Sequence, residues 1–189
     1  MNLAQLSESC NQSPVQPLPQ GRTAAVALMF ADGEEGLELC FVKRQEFPGD
    51  PWSGQMALPG GKRNPEDATA HDVAVREAHE EVGVTLLDAQ LLGMMPGMNA
   101  GGGGRAEPLT VFPVLYRLRG PGPPLTIGEE LAEGHWISLA HLWNDANWST
   151  LDWCGNQFPG ITHGERIIWG FTLGVLRRLG ELANRPLKR

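Results

Sequence analysis

Cysteine is scarce in this chain. Cys10, Cys40 and Cys154 are odd in number and far apart. They make neither a disulfide framework nor the paired spacing of a zinc site, so the expected setting is a reducing, cytoplasmic one. Positive charge is also in deficit: 15 Lys and Arg stand against 22 Asp and Glu, for a net charge of −7. That argues against gripping a nucleic-acid backbone, which needs a basic surface. It leaves room for a phosphorylated small molecule, because a bound cation reverses the local field. No apolar run is long enough to span a membrane. The first residues, MNLAQLSESCNQSPVQPLPQG, have neither a basic start nor an apolar run and do not read as a signal peptide. What is present is a chain of 189 residues, 41% of them apolar, enough for one domain with a real core. Residues 1–20, polar and proline-rich, are expected as an arm over that domain or a loose tail. Residues 21–189 are expected as the domain itself.

The most informative stretch is residues 58–84, LPGGKRNPEDATAHDVAVREAHEEVGV. A Pro-Gly-Gly turn and a polar loop lead into a helical run that stops at Gly83. Glu77, Glu80 and Glu81 stand at i, i+3 and i+4, which puts three carboxylates on one helix face. At about 100° per residue, Val75, Ala78 and Val82 fall on the opposite face. Like charges this close repel, and the acids sit toward the helix end that the dipole makes unfavourable for them. A solvated acidic face is one reading. The other is a site for a hard divalent cation, Mg²⁺ or Mn²⁺, which prefers oxygen ligands.

The whole stretch resembles the signature of the Nudix hydrolases, G-x5-E-x7-R-E-U-x-E-E-x-G-U, with U aliphatic. Gly61 stands at the first glycine and Asp67 at the first acid, in place of Glu. Arg76 and Glu77 form the RE pair, Ala78 takes the aliphatic slot, Glu80 and Glu81 form the EE pair, and Gly83-Val84 closes the motif. The resemblance implies an α/β/α sandwich with a mixed β-sheet and the signature as loop–helix–loop. It implies a metal-dependent hydrolase that cleaves the diphosphate of a nucleoside diphosphate linked to another moiety. Glu77, Glu80 and Glu81 are then the metal-binding acids, with the Gly61 backbone close by. One of these glutamates or a late-loop glutamate serves as general base, and Arg76 orients the carboxylates. Glu129 and Glu130 are the late-loop candidates; the alternative for them is a solvated acidic loop.

A second resemblance is to the coenzyme A pyrophosphatase branch. It rests on Arg44, Gly54, Gln55 and the Pro-Gly-Gly in KRQEFPGDPWSGQMALPGG, and on Ile168-Trp169-Gly170 leading into the last helix. Asp50 stands where that branch has a second arginine. The substrate this implies is coenzyme A or a CoA-like compound. ADP-ribose, a dinucleoside polyphosphate or a nucleoside triphosphate is the alternative within the enzyme class. A non-catalytic nucleotide sensor is the alternative outside it.

Elsewhere the pattern predicts strands over residues 22–30 and 37–42 joined as a hairpin, over 85–95, and over 109–118. Residues 85–95 also read as a short helix. Pro113 marks an edge or a bulge. Lys43 and Arg44, at a strand end, either reach a phosphate or are surface charges. The glycines of residues 101–104 form a loop at the mouth of the site. Ser138 is an N-cap for a short helix through Trp143. Trp143, Trp148 and Trp153 read as core or interface pieces. His135 and His163 look isolated, and His79 lies off the acidic face. The run from Gly164 to Pro186 reads as one helix with an apolar stripe of Ile168, Phe171, Val175, Leu179 and Leu182. That stripe packs either on the sheet or on a second copy in a homodimer.

Overall fold

The computed structural model describes residues 2–10, 15–47, 53–87, 90–101 and 108–187. Asp50 and residues 102–104 of the glycine run lie outside the described residues. Helix α1 (Leu3–Ser9) opens the chain. Strands β1 (Thr23–Gly33) and β2 (Gly36–Arg44) form the expected hairpin. They pair only near their turn, from Phe30↔Leu39 to Gly33↔Gly36. Beyond that point two short strands occupy the fork. Strand β3 (Met56–Ala57) pairs with β2, and β4 (Gly60–Lys62) pairs with β1. The Pro-Gly-Gly turn is therefore wedged into the middle of the sheet, with Ala27 N–H donating to Pro59 O at 2.7 Å.

Helix α2 (Ala70–Val82) follows, then β5 (Leu91–Met94), β6 (Met98–Ala100), β7 (Leu109–Pro121) and β8 (Leu131–Ser138). Among the described residues these complete an eight-stranded mixed sheet. Strand β7 runs parallel to β1 and carries β5 and β6 antiparallel on its far side, while β8 lies antiparallel on β2. Helix α3 (Leu139–Leu142) begins at Ser138, whose Oγ accepts from His141 N–H. A second sheet of three strands, β9 (Trp148–Trp153), β10 (Asn156–His163) and β11 (Arg166–Trp169), precedes helix α4 (Gly170–Leu182).

The two-residue period of β1 sorts its side chains between two cores. Ala25, Ala27, Met29 and Ala31 face α2, with Val73, Ala74, Ala78 and Val82. The alanines let the helix approach the sheet closely, and Ala78 is fully buried there. Val75 is only partly buried, so the apolar face of α2 is centred on Val73 and Ala74 rather than on Val75. Leu28 and Phe30 point the other way, onto Leu6 of α1, Leu142 of α3 and Val175 and Leu179 of α4. Helices on both faces of a mixed sheet make the α/β/α sandwich. The described part of the N-terminal segment packs down: Leu6 is buried and Ser7 Oγ donates to Leu92 O at 2.6 Å.

Several expectations change. Among the described residues of 85–95, only 91–94 form a strand. Val84 and Leu86 are buried on the α2 side without a ladder. Pro113 is at neither an edge nor a bulge. It lies within β7, opposite Val26. Its missing N–H falls where the ladder breaks between β5 and β6, and its carbonyl accepts from Met95 N–H at 2.9 Å. The last helix starts at Gly170. Residues 166–169 are β11, turned back at Gly164, whose φ is 59°. Ile168 serves the core from a strand, and the rest of the stripe is spent inside the chain, with Val175 and Leu179 fully buried. No helix is long and apolar enough to cross a membrane among the described residues.

Candidate active site

Helix α2 is fixed at both ends. Thr69 caps its N-terminus through a reciprocal box, Thr69 Oγ1 accepting from Asp72 N–H and Asp72 Oδ2 from Thr69 N–H. Gly83, at φ 69°, turns the chain out of the helix. The late loop then covers the helix end, as Thr126 N–H donates to Val82 O and Gly128 N–H to Glu81 O, at 3.0 and 2.9 Å.

Arg76 is the hub of the acidic face. It donates to Asp67 Oδ2 at 2.8 Å, Glu77 Oε1 at 2.8 Å, Glu80 Oε2 at 3.1 Å and Lys62 O at 3.0 Å. Asp67 is buried, and its Oδ2 also accepts from Asn64 N–H. Burial pushes its carboxyl up, but the Arg76 guanidinium and the Asn64 amide outweigh this and hold it below the ordinary value. Asp67 thus anchors Arg76, and Arg76 positions Glu77 and Glu80. Eight residues, 68–75, separate Asp67 from Arg76, one more than the x7 of the signature pattern. Asp67 lies ahead of the N-cap, so the loop absorbs the extra residue and the pairing survives.

The three glutamates do not gather equally. Glu81 Oε2 accepts from Gly60 N–H at 2.8 Å. The Glu77 carboxylate lies so close to Gly61 that a Cβ there would fall on its oxygens. Gly60 has φ 157° and its missing Cβ would strike the Ala25 carbonyl. Glu80 is 58% exposed and held only by Arg76 among the bonds described. Among the described residues no group of three or more His, Cys, Asp or Glu is placed so that it could hold a metal ion. Burial pushes Glu77 up against the pull of Arg76, and burial with the nearby Glu77 pushes Glu81 up to about 7. Two desolvated, mutually repelling carboxylates on a backbone that only glycine permits fit a hard cation, which would stabilise their charged forms.

Other candidates separate. Arg44 lines a cavity of about 790 Å³ that also holds Gly60, Gly61 and Gln55, and its charge is felt by Glu81. Lys43 pairs instead with Glu133 at 3.4 Å. Glu130 adds to the repulsion at Glu81, and its carbonyl accepts from Gln45 N–H; no such contact is described for Glu129. His79 is exposed, on the helix but outside this network. His135 and His163 are not isolated: His163 lies edge-on to His135 and His141, at 5.5 and 5.1 Å. Trp153 is no core piece, being 39% exposed at the cavity wall. Sequence reasoning passed over Arg22 and Lys62, which also line the cavity. The signal for Arg22 was its place at the start of the first predicted strand, which the structure pairs with Gly60–Lys62.

The NUDIX domain family model matches residues 20–154. The chain belongs to the Nudix family. Nudix hydrolases act on nucleoside diphosphate derivatives and generally need a divalent metal ion; the family's enzyme class is that of a pyrophosphohydrolase. The Nudix hydrolase NudL of Yersinia enterocolitica is 28% identical over 141 residues, 70% of this chain and 67% of that protein. The human mitochondrial coenzyme A diphosphatase NUDT8 is 31% identical over 127 residues, 63% of this chain and 51% of that one. The chain thus spans about half to two thirds of the length of these relatives. The crystal structure of a MutT/nudix family protein from Enterococcus faecalis superposes with a TM-score of 0.61 at 17% identity, over 96% of this chain and 69% of that one, which shows the Nudix fold.

Proposed function

We propose that this Nudix chain hydrolyses the diphosphate bond of a nucleoside diphosphate linked to another moiety, with coenzyme A or a CoA-like compound as the leading substrate. The observation that carries the reading is the gathering of Glu77 and Glu81 on Gly60–Gly61, beside a cavity of about 790 Å³. That volume is within the usual range for a small-molecule site. The likeness to the coenzyme A diphosphatase NUDT8, and Arg44 and Gln55 at the cavity wall, support the choice of substrate.

Glu77, Glu80 and Glu81, with the Gly61 backbone, would hold Mg²⁺ or Mn²⁺. When bound, the ion would neutralise diphosphate charge and make water a better nucleophile. Arg76, itself anchored by Asp67, holds Glu77 and Glu80 by ion pairs. Arg22, Arg44 and Lys62 offer positive charge to the phosphates. The proton of the attacking water passes to a carboxylate of this set. Glu81, held against the Gly60 amide at 2.8 Å, is the leading acceptor. Glu130, on the loop that covers the end of α2, is the next acceptor.

The test is a Mg²⁺-dependent hydrolysis screen of CoA, dephospho-CoA, ADP-ribose, NADH, dinucleoside polyphosphates and nucleoside triphosphates. Cleavage of CoA to adenosine 3′,5′-bisphosphate, lowered at least ~100-fold in Glu81→Gln, is the expected result. Cleavage of a different compound keeps the reaction and replaces the substrate. Saturable binding without turnover, with Mg²⁺ or Mn²⁺, makes the chain a nucleotide sensor instead.

A further inference from the structure

The three-stranded sheet carries an aromatic face that the diphosphate chemistry does not use. Directly paired residues of an antiparallel ladder share a face, and alternate residues return to it. Trp153 pairs with Asn156, Trp169 pairs with Gly160, and Phe158 lies between on β10. The rings meet: Trp153 and Phe158 each pack on Trp169, with centroids 5.4 and 5.5 Å apart and tilts of 49° and 50°. Yet Trp153 and Phe158 remain 39% and 36% exposed. Clustered rings left in water mark a surface that something else covers.

The cavity indicates what covers it. Trp153 and Trp169 line the same space as Gly60 and Gly61, which also bears Arg22, Arg44 and Lys62. Gly170, at the start of α4, leaves that wall open, since a Cβ there would meet nothing within 4 Å. The aromatic wall is tied to the signature side through α4, where Thr172 Oγ1 donates to Met56 O at 3.1 Å. One space therefore offers glycine backbone and cations for an anion and a flat aromatic surface for a planar ring.

We propose that the aromatic face of β9–β11 is the nucleobase subsite of this site, with the Trp153 ring as the stacking platform. The ligand class is a nucleotide whose diphosphate lies at Gly60–Gly61 and whose base lies on Trp153. The inference rests on the diphosphate reading of the signature. Stacking on an aromatic side chain tolerates any base, so the subsite selects for a base rather than for which base.

The test compares ADP with inorganic pyrophosphate, which shares the diphosphate and lacks the base. Binding of each to the full-length chain is measured by calorimetry in Mg²⁺ buffer for the wild type, Trp153→Ala and Trp153→Phe. Trp153→Ala weakens ADP about 10-fold or more, Trp153→Phe recovers most of the loss, and pyrophosphate binds all three alike. Unchanged ADP affinity in Trp153→Ala overturns the subsite, as does a parallel loss of pyrophosphate. A melting temperature for each variant separates this from unfolding. The hydrolysis screen with Glu81→Gln fails independently: a chain that cleaves its substrate but shows no ADP contrast at Trp153 loses the subsite alone. A chain without turnover that keeps the contrast loses the hydrolase reading alone.

Discussion

The signature turn with α2 and the three-stranded sheet are built by opposite means. In the first, charged side chains a few residues apart fix one another. Asp67 holds Arg76, Arg76 holds Glu77 and Glu80, and the Gly60 amide holds Glu81. In the second, backbone ladders and ring contacts do the work, and among the described residues its ion pair lies at the seam with the large sheet. There Glu133 of β8 meets Lys43 of β2, Arg166 of β11 and His135. Short-range wiring gives carboxylates a fixed geometry, which chemistry on a diphosphate needs. A ladder face gives a broad surface with little angular demand, which suits stacking.

The largest effect expected from breaking this contrast is at Arg76. Arg76→Ala leaves the buried Asp67 and the half-buried Glu77 without their cation and should cost on the order of 3 kcal/mol. Denaturant melts of wild type and variant check this, and a loss below about 0.5 kcal/mol would count against a wired signature. Gly61→Ala should do the reverse. Its Cβ displaces the Glu77 carboxylate, the far end of a flexible side chain, so folding changes little. Hydrolysis should fall roughly 100-fold, as expected of a misplaced catalytic group. Full activity in a folded Gly61→Ala chain would show that the close approach is not used.

The smallest effect concerns pH, where the two regions differ in sign. Glu81 is raised from 4.5 to about 7 by burial and by Glu77. The folded chain therefore keeps a proton that the unfolded chain has released, and stability declines as pH rises across that window. His163 is lowered from 6.5 by burial and by His141, His135 and Arg166. Its contribution is complete above 6.5 and is lost as pH falls through the folded value. Melting temperatures in chelator should therefore decline less between pH 4.5 and 7 in Glu81→Gln. They should decline less below pH 6.5 in His163→Gln. Superimposable pH profiles for the wild type and both variants would erase the contrast.

The same difference governs what could be read in advance. The signature, the helix and its stop at Gly83 occupy one continuous stretch, where periodicity, capping and charge spacing all agree. The hairpin and the Ser138 cap were legible for the same reason. The three-stranded sheet was not. Strand β10 holds Pro159 and Gly160 and is exposed over its first half, so it shows no alternation. Ile167 and Ile168 abut an apolar helix and merge with its stripe when read as a line. Pro113 looked like an edge because local chemistry cannot reveal that a neighbouring ladder stops opposite it. The convergence of His135, His141 and His163 joins β8, α3 and β10, which no local pattern reports.

The hydrogen bonds from Thr126 and Gly128 onto the last carbonyls of α2 have a consequence for timing. Those two amides are sealed by the same turn that carries Glu81. Their exchange with deuterated solvent therefore records each fraying of that turn. The late loop keeps a clock for the helix end, one that can be read without altering any group in the acidic network.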